Sequence, residues 1–329
     1  MLKGIYITSE NTFKNVYCEE ALEKINGLID IEPKPYTSDY ITQNPSILSD
    51  VDVILSTWGM VKLDEKILAN APRLKAVFYG AGSIRYFTTD AMWDRNITVC
   101  SAYGMNAIPV INFTLSQILF SLKDGFRHMM RLKKEKIWKS EHIDGIYKAK
   151  VGIISLGLIG SGVCEKLKQF DVDVYAYDIV QNEETSKRLN ITYSSLEEIF
   201  STCEVISLHT PWLPQTENMI NGKLLSLMPQ KSTFINTARG AVVNEKEMIE
   251  VLTRRPDIMA LIDTPYPEPP IAESPLYTLE NVLLTPHIAG AMGRDCWKMS
   301  MCMADELEKF IKNEPLDWSI SREKAKILA

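Results

Sequence analysis

Short apolar runs alternate with helical segments along most of the chain, and this alternation is the feature that most restricts its fold. In the first hundred residues the predicted strands are Lys3–Thr8, Val51–Ser56, Leu74–Tyr79 and Ile97–Cys100. The segments between them have helical periodicity, as in Cys18–Leu28. Strands that alternate with helices imply crossover connections and a parallel sheet. The first part of the chain is therefore predicted to be an α/β unit.

A second α/β unit is predicted from about residue 150. Its strands are Lys150–Leu156, Val172–Tyr177, Val205–His209, Ser232–Asn236, Met259–Ile262 and Val282–Leu284. Helices are predicted between these strands, which is the doubly wound Rossmann pattern. The units are joined by a long helical stretch from Asn106 to about Lys134, broken near Asp124-Gly125. Its first part is apolar nearly all round, which is typical of a helix buried between domains or at a subunit interface.

The composition excludes several classes of protein. The chain has 329 residues, of which 46% are hydrophobic and 24% charged, and this favours two globular domains with real cores. A net charge of −6 gives no general attraction for nucleic acids or anionic membranes. The six cysteines form no CxxC pair, which argues against disulfides or a metal site, and the N-terminus has no signal-peptide pattern. The apolar stretches are expected to fall short of the ~20 residues that span a bilayer, so we expect a cytoplasmic protein.

A glycine-containing turn between a predicted strand and helix indicates a dinucleotide site. Residues 155–160, Ser-Leu-Gly-Leu-Ile-Gly, match the G-x-G-x-x-G pattern except that Ser155 replaces the first glycine. Gly157 lets the backbone approach a pyrophosphate, and Gly160 lets the helix pack closely on the sheet. The N–H groups at the start of the helix are suited to phosphate oxygens. We expect Ser155 to fit the turn with a negative φ.

An acidic residue follows this turn at the position of a ribose-binding carboxylate. Asp178 ends the next predicted strand, 18 residues after Gly160. Its carboxylate can accept hydrogen bonds from both adenosine ribose hydroxyls, but it would repel a 2′-phosphate. No Arg or Lys is present in residues 179–185. The expected cofactor is therefore NAD rather than NADP.

Three later segments with catalytic residue types each follow a predicted strand. They are residues 235–240 (Ile-Asn-Thr-Ala-Arg-Gly), 263–269 (from Asp263 to Glu268-Pro269) and 285–290 (Thr-Pro-His-Ile-Ala-Gly). Ligands of open α/β sheets bind at the carboxyl ends of the strands. Arg239, Glu268 and His287 are thus predicted to converge on the cofactor crevice.

With these segments the chain resembles the D-isomer-specific 2-hydroxyacid dehydrogenase family over nearly its whole length. The resemblance begins at Leu74–Ser83 and continues through the glycine turn and Asp178 to the Pro-His-Ile-Ala-Gly segment. It implies two Rossmann-like domains with doubly wound parallel sheets. A cofactor domain, residues 103–291, is expected to be inserted into a discontinuous substrate domain, residues 1–102 and 292–329.

The resemblance also implies catalytic roles. His287 would give a proton to the substrate oxygen in reduction and take it back in oxidation. Glu268 would stabilise the imidazolium and fix its tautomer. Arg239 would hold the substrate carboxylate or carbonyl oxygen.

Binding residues follow from the same resemblance. The expected cofactor contacts are Gly157, Leu158, Ile159, Gly160, Asp178, His209, Thr210, Pro211, Thr237, Ala238, Arg239, Asp263, His287, Ala289 and Gly290. Asp263 would face the nicotinamide. The expected substrate contacts are Trp58, Ala81, Gly82, Ser83 and Arg239, with the turn Gly80–Ser83 offering backbone N–H groups to the substrate carboxylate. An ordinary packed tryptophan explains Trp58 equally well.

The sequence therefore predicts an NAD-dependent oxidoreductase acting on a small 2-keto or D-2-hydroxy acid, with no metal, nucleic acid or membrane involved. An alternative is a non-catalytic protein on the same scaffold that senses NAD(H). The apolar helix Asn106–Leu122 and the basic segment after it predict a homodimer. The sequence leaves open the substrate side chain and the direction of the reaction.

Overall fold

A computed structural model of the protein describes residues 1–327, so the last two residues of the predicted segment 292–329 lie outside the described residues. The chain divides into two compact units. The first consists of Met1–Ala107 and the chain from Ala291 onward, and the second is Ile108–Gly290. The assignment of residues 103–291 to the cofactor and of the flanking segments to the substrate stays a prediction.

The first unit is built on a five-stranded parallel sheet in the order β2-β1-β3-β4-β5. The strands are β1 (Gly4–Ile7), β2 (Pro35–Tyr36), β3 (Val53–Ser56), β4 (Ala76–Tyr79) and β5 (Thr98–Ser101). The four predicted strands are all present, and the two-residue edge strand β2 was not predicted. Residues that end β3, β4 and β5 pair with each other, so the three carboxyl ends lie at one edge of the sheet.

Five short helices lie between these strands. They are α1 (Glu10–Val16), α2 (Glu19–Leu28), α3 (Ser38–Gln43), α4 (Glu65–Ala69) and α5 (Asp90–Asp94). Four of them have an N-cap residue whose side-chain oxygen accepts a hydrogen bond from the backbone N–H three residues later. These N-cap residues are Ser9, Thr37, Asp64 and Thr89. Each of these oxygens satisfies a backbone donor that the helix itself leaves unpaired, so the helix starts are encoded locally.

Two helices follow the first sheet, α6 (Tyr103–Leu122) and α7 (Gly125–Glu135). Asp124 between them has a left-handed backbone with φ +50°, which gives the predicted break. By length and composition α6 could cross a membrane, so the expectation that every apolar stretch is too short was wrong here. One such helix is a weak indication, because buried helices of non-membrane proteins pass the same test.

The second unit contains a seven-stranded parallel sheet in the order β12-β11-β10-β9-β6-β7-β8. The strands are β6 (Ala149–Ile154), β7 (Val172–Tyr177), β8 (Ile191–Tyr193), β9 (Val205–Leu208), β10 (Thr233–Asn236), β11 (Met259–Ile262) and β12 (Val282–Leu284). All six predicted strands are present, and only the edge strand β8 was missed. The chain runs from β6 to β7 on one side and returns to β9 on the other. This reversal of strand order is where doubly wound sheets bind their ligands.

Helices cover both faces of this sheet. They are α8 (Leu158–Leu167), α9 (Glu183–Leu189), α10 (Leu196–Thr202), α11 (Gly222–Ser226) and α12 (Glu245–Arg254). Two separate apolar cores result, one around Phe200 and Phe234 and the other around Val151 and Leu261. Burial on both faces explains why these strands are continuous apolar runs rather than alternating ones.

The end of the chain returns to the first unit as α13 (Asp295–Lys312) and α14 (Arg322–Ala325). Met299, Met303 and Leu307 of α13 are fully buried in the same core as Tyr6 and Phe78. The predicted fold class, two parallel α/β sheets of Rossmann type, is confirmed.

Candidate active site

The glycine turn of the second unit connects β6 to α8. Gly157 is the residue before the first helical one, it is exposed, and no side chain caps the helix start. A Cβ atom at Gly160 would lie 2.0 Å from the carbonyl oxygen of Ser155, so only glycine permits this closure of the helix on the turn. An exposed, uncapped helix start of this kind is suited to phosphate oxygens. Leu158 is exposed there and Ile159 is half-buried.

Ser155 does not have the negative φ that we expected. Its φ is +75°, in the left-handed region, where a non-glycine residue costs on the order of 1–2 kcal/mol. Two contacts hold it there. Its N–H donates to the carbonyl oxygen of Tyr177 (2.7 Å), and its Oγ lies 2.8 Å from Oγ1 of Thr210. The serine thus keeps the turn geometry of a glycine, at a cost in backbone strain.

Asp178 follows β7 and is held beside the glycine turn. Its Oδ2 accepts the N–H of Leu156 (2.6 Å) and its Oδ1 accepts the N–H of Val180 (2.8 Å). A carboxylate oxygen can accept a second hydrogen bond, so both remain suitable for ribose hydroxyls. Ile179 beside it is 90% exposed and brings no positive charge. These residues fit a dinucleotide without a 2′-phosphate.

Arg239 lies in the turn that follows β10. The buried Asn236 organises this turn, because its Oδ1 accepts the N–H of Ala238 (3.0 Å). Nη1 of Arg239 donates to the carbonyl oxygen of Ala238 (2.7 Å). The next residue, Gly240, packs against the segment that carries Glu268, since a Cβ atom there would lie 2.3 Å from Pro265. The sequence did not mark Asn236 as a site residue, although an Asn at the end of a buried strand is a signal for such a turn.

Glu268 and His287 are in direct contact. Nδ1 of His287 donates to Oε1 of Glu268 at 2.6 Å, and the two side chains are 46% and 44% exposed. The contact leaves Nε2 of His287 available to a ligand. His287 has a φ of +52°, which is rare for a histidine, and its N–H is held by the carbonyl oxygens of Asp263 and Thr285. Unusual backbone of this kind persists only where neighbouring contacts enforce it.

Asp263 provides that enforcement. It is 1% exposed, and its carboxylate accepts Oγ1–H of Thr285 (2.6 Å) and the N–H groups of Ile288 (2.9 Å) and Ala289 (3.0 Å). Its expected contact with the nicotinamide stays a prediction. Asp263 holds the loop 285–290, which carries His287 and includes the buried Ala289 and the half-buried Gly290.

His209, expected to contact the cofactor, is turned inward. Its Nε2 contacts Oγ of Ser207 (3.0 Å), and its Nδ1 is buried with no hydrogen-bond partner among the described residues. Burial lowers the pKa of His209 to about 3, so the ring is neutral at physiological pH. Its side chain is therefore not available to the cofactor.

The side-chain hydroxyls of two threonines from the predicted cofactor set also bind other side chains of the second unit. Thr210 is buried against Ser155, and Oγ1 of Thr237 lies 3.0 Å from Oγ1 of Thr114. Because these hydroxyls bind inside the unit, only the backbone of such residues remains for the cofactor. Pro211, which follows Thr210, is half-buried, and Ala238, which follows Thr237, is buried.

In the first unit the turn Gly80–Ser83 follows β4. The N–H of Gly80 donates to Ser56 (2.7 Å) and that of Ala81 to the carbonyl oxygen of Tyr79 (2.9 Å). The predicted contribution of Ala81 is thus already used. Within residues 1–327, the N–H groups of Gly82 and Ser83 donate to no protein acceptor.

Trp58 lies in the loop after β3 of the same unit. Its side chain is 41% exposed, and its carbonyl oxygen accepts Oγ1–H of Thr8 (2.8 Å). Oγ1 of Thr57, the preceding residue, donates to the carbonyl oxygen of Gly80 (3.0 Å). This bond links the Trp58 loop to the turn Gly80–Ser83. Trp58 is therefore an exposed residue on a fixed loop rather than a fully packed tryptophan.

A cavity of about 810 Å³ lies elsewhere in the second unit. It is lined by α7 and by residues near α12 and β12, among them Arg127, Arg131, Leu252 and Glu280. None of the candidate catalytic residues lines it, so the strand ends, and not this cavity, hold the candidate chemistry.

Comparison with known proteins assigns the chain to a family. The family model of the D-isomer specific 2-hydroxyacid dehydrogenase NAD-binding domain matches residues 115–289, which is more than half of the chain. The chain belongs to this family. The second unit holds its NAD-binding domain, and NAD is the cofactor that the family uses.

Individual relatives of the chain are distant. The glyoxylate reductase of Aeropyrum pernix is 26% identical, with 94% of each chain covered. The D-3-phosphoglycerate dehydrogenase of Methanocaldococcus jannaschii is 27% identical over 81% of this chain but only 51% of its own length. The chain thus spans about half the length of the phosphoglycerate dehydrogenases that it matches.

Solved structures give the same fold. The NAD-complexed D-isomer specific 2-hydroxyacid dehydrogenase of Lactobacillus delbrueckii ssp. bulgaricus superposes with a TM-score of 0.79. It is 21% identical, and the match covers 98% of this chain and 100% of that one. At this identity the likeness supports the fold and says nothing of the substrate.

Proposed function

We propose that the protein is an NAD-dependent oxidoreductase that interconverts a small 2-keto acid and the corresponding D-2-hydroxy acid. The observation that carries this proposal is the 2.6 Å contact between Nδ1 of His287 and Oε1 of Glu268 at the carboxyl ends of β11 and β12. Both side chains are half-exposed, so a substrate can reach them. When bound, the nicotinamide supplies the hydride in reduction and accepts it in oxidation.

The histidine–glutamate pair suits proton transfer at one defined atom. An ionised carboxylate only accepts hydrogen bonds, so Glu268 keeps a proton on Nδ1 of His287. Nε2 is then the atom that gives a proton to the keto oxygen or takes one from the hydroxyl. The negative charge of Glu268 stabilises the imidazolium that this exchange requires.

Arg239 is the proposed anchor for the substrate. A guanidinium binds a carboxylate through two parallel hydrogen bonds, which orients a 2-keto acid as well as holding it. In the first unit, the N–H groups of Gly82 and Ser83 are proposed to bind a substrate carboxylate, as the family resemblance implies. Trp58 is the proposed contact for the substrate side chain, supported by its exposure on a fixed loop.

The homodimer and the cytoplasmic location are also proposals. Met129, Ile137 and Trp138, on α7 and the segment after it, are 60%, 54% and 91% exposed, which favours a protein partner at this surface. A second copy of the chain is the proposed partner. All six cysteines are unpaired, and this supports a reducing compartment.

The test is a steady-state screen of purified full-length protein with NADH and a panel of 2-keto acids, including glyoxylate, hydroxypyruvate and longer homologues. We expect oxidation of NADH with at least one of them and a clear preference for NADH over NADPH. Bound NADH with no turnover across the panel would instead favour the NAD-sensing alternative. A preference for NADPH would contradict the role given to Asp178.

A further inference from the structure

Tyr266, on the segment that carries Glu268, makes two contacts with other parts of the second unit. The N–H of Tyr266 donates to Oε2 of Glu245 at 2.9 Å. The ring of Tyr266 packs edge-on against Trp212, with centroids 5.4 Å apart. Tyr266 is two residues before Glu268, so these contacts help to fix the position of the Glu268 backbone.

Glu245 is an unusual residue to find in this position. It is the first residue of α12 and is half-buried, and burial raises its pKa while the hydrogen bond from Tyr266 lowers it. A carboxylate that merely favoured the helix dipole could lie in solvent. Placed here, it gives up part of its hydration and receives a charge-assisted bond, which is stronger than one between neutral groups. The hydrogen bond thus connects α12 to the segment that carries Glu268.

We propose that Glu245 is a positioning residue, which fixes Tyr266 and thereby holds Glu268 in contact with Nδ1 of His287. This inference rests on the proposed function and adds a residue to it. Because Glu268 is 44% exposed, water competes for its carboxylate, and its position depends on its own backbone.

The two partners of the pair are then held by two different carboxylates. The buried Asp263 holds the loop of His287 through three hydrogen bonds. Glu245 holds the segment of Glu268 through one. Glu245→Ala therefore removes the one hydrogen bond by which α12 holds the segment of Glu268.

The same helix provides a matched control. Glu247 is also half-buried in the first turn of α12, and its Oε2 accepts the N–H of Gly222 at 2.7 Å. Glu247→Ala thus removes the same kind of bond, but on a residue that does not touch the segment of Glu268.

The experiment compares Glu245→Ala, Glu245→Gln and Glu247→Ala in the full chain. For Glu245→Ala we expect kcat to fall about tenfold, because a misplaced catalytic group loses orientation. The Kd of NADH should stay within about twofold, since NADH is bound by other residues. Glu245→Gln keeps an oxygen acceptor for Tyr266 and should recover most of the lost kcat. Glu247→Ala should lower Tm by a similar amount and leave kcat near that of the parent protein.

A second measurement does not depend on turnover. Side-chain ¹⁵N NMR reports which nitrogen of a histidine carries the proton, and the chain has four histidines, so His287→Gln assigns its signals. We expect Glu245→Ala to shift the His287 signals toward those of Glu268→Ala, in which the contact is lost. Parent-like signals and kcat in Glu245→Ala, or equal losses in Glu247→Ala, would overturn the inference. If the parent protein reduces no 2-keto acid, the proposed function fails and the NMR comparison alone decides the role of Glu245.

Discussion

The second unit places two histidines just after strands of the same sheet, and their surroundings are opposite. His209 follows β9 with its Nδ1 buried and without a hydrogen-bond partner among the described residues. His287 follows β12 with a half-exposed ring whose Nδ1 is bound to Glu268. The first is kept neutral because burial penalises its charged form. The second has a carboxylate that accepts a hydrogen bond from its Nδ1. Position at a strand end therefore does not by itself suit a histidine to proton transfer, and the proposed role of His287 rests on its exposure and its carboxylate partner.

The largest expected effect is on turnover. His287→Gln removes the only proton donor assigned to the substrate oxygen and should lower kcat at least ~10²-fold. The Kd of NADH, measured by fluorescence titration, should be nearly unchanged, because the ring does not bind the phosphates or the ribose. Near-normal turnover in this variant would contradict the proposed role of His287 in proton transfer. The contrast with His209 would then have no functional meaning.

The second largest expected effect is on stability and concerns Asp263, which holds the loop of His287. Asp263→Ala leaves two buried N–H groups and one hydroxyl without an acceptor and should cost roughly 3 kcal/mol of unfolding free energy or more. Urea denaturation measures this loss. Asp257, just before the same strand, forms a partly exposed pair with Arg255, so Asp257→Ala should cost about 1 kcal/mol or less. Equal losses in the two variants would show that the hydrogen bonds of Asp263 have no special role.

The smallest effect belongs to His209 and depends on pH. The unfolded chain protonates this ring below a pKa of about 6.5, but the folded protein does so only near 3. Between these values the unfolded state binds more protons, so stability falls as the pH is lowered, by up to about 1.4 kcal/mol per pH unit. His209→Gln cannot titrate and should have a shallower loss between pH 6.5 and 5 in urea unfolding. An unchanged slope would mean that the folded protein protonates His209 as easily as the unfolded chain.

The sequence predicted most of this architecture because its signals are local. Continuous apolar runs identified ten of the twelve described strands, all but β2 and β8, and the spacing of Asp178 predicted a carboxylate beside the glycine turn. Ser155 was expected to avoid positive φ, but its contacts with Tyr177 and Thr210, distant in sequence, keep it there. Asp263 was assigned to the cofactor by resemblance, and its role in holding the loop of His287 was not predicted. The three donors that bury Asp263 come from a loop more than twenty residues later.

Helix α13 was missed for a related reason. Its buried face includes Met299, Cys302, Met303 and Ala304 but also the polar Ser300 and Glu306, which obscure the apolar pattern. Glu245 was overlooked because an acidic residue in the first helical turn is already explained by the helix dipole. Only the contact with Tyr266 gives it a second role.

The division of the chain has a consequence for protein synthesis. Every residue of the second unit, from Ile108 to Gly290, leaves the ribosome before α13, which completes the core around Tyr6 and Phe78. Domains fold as units once their chain is available. The N-terminal hundred residues must therefore wait, with an open apolar face, until the last helix is made. The unit whose synthesis begins first is therefore the last to complete its core. Until then its apolar face is exposed and can be bound by chaperones.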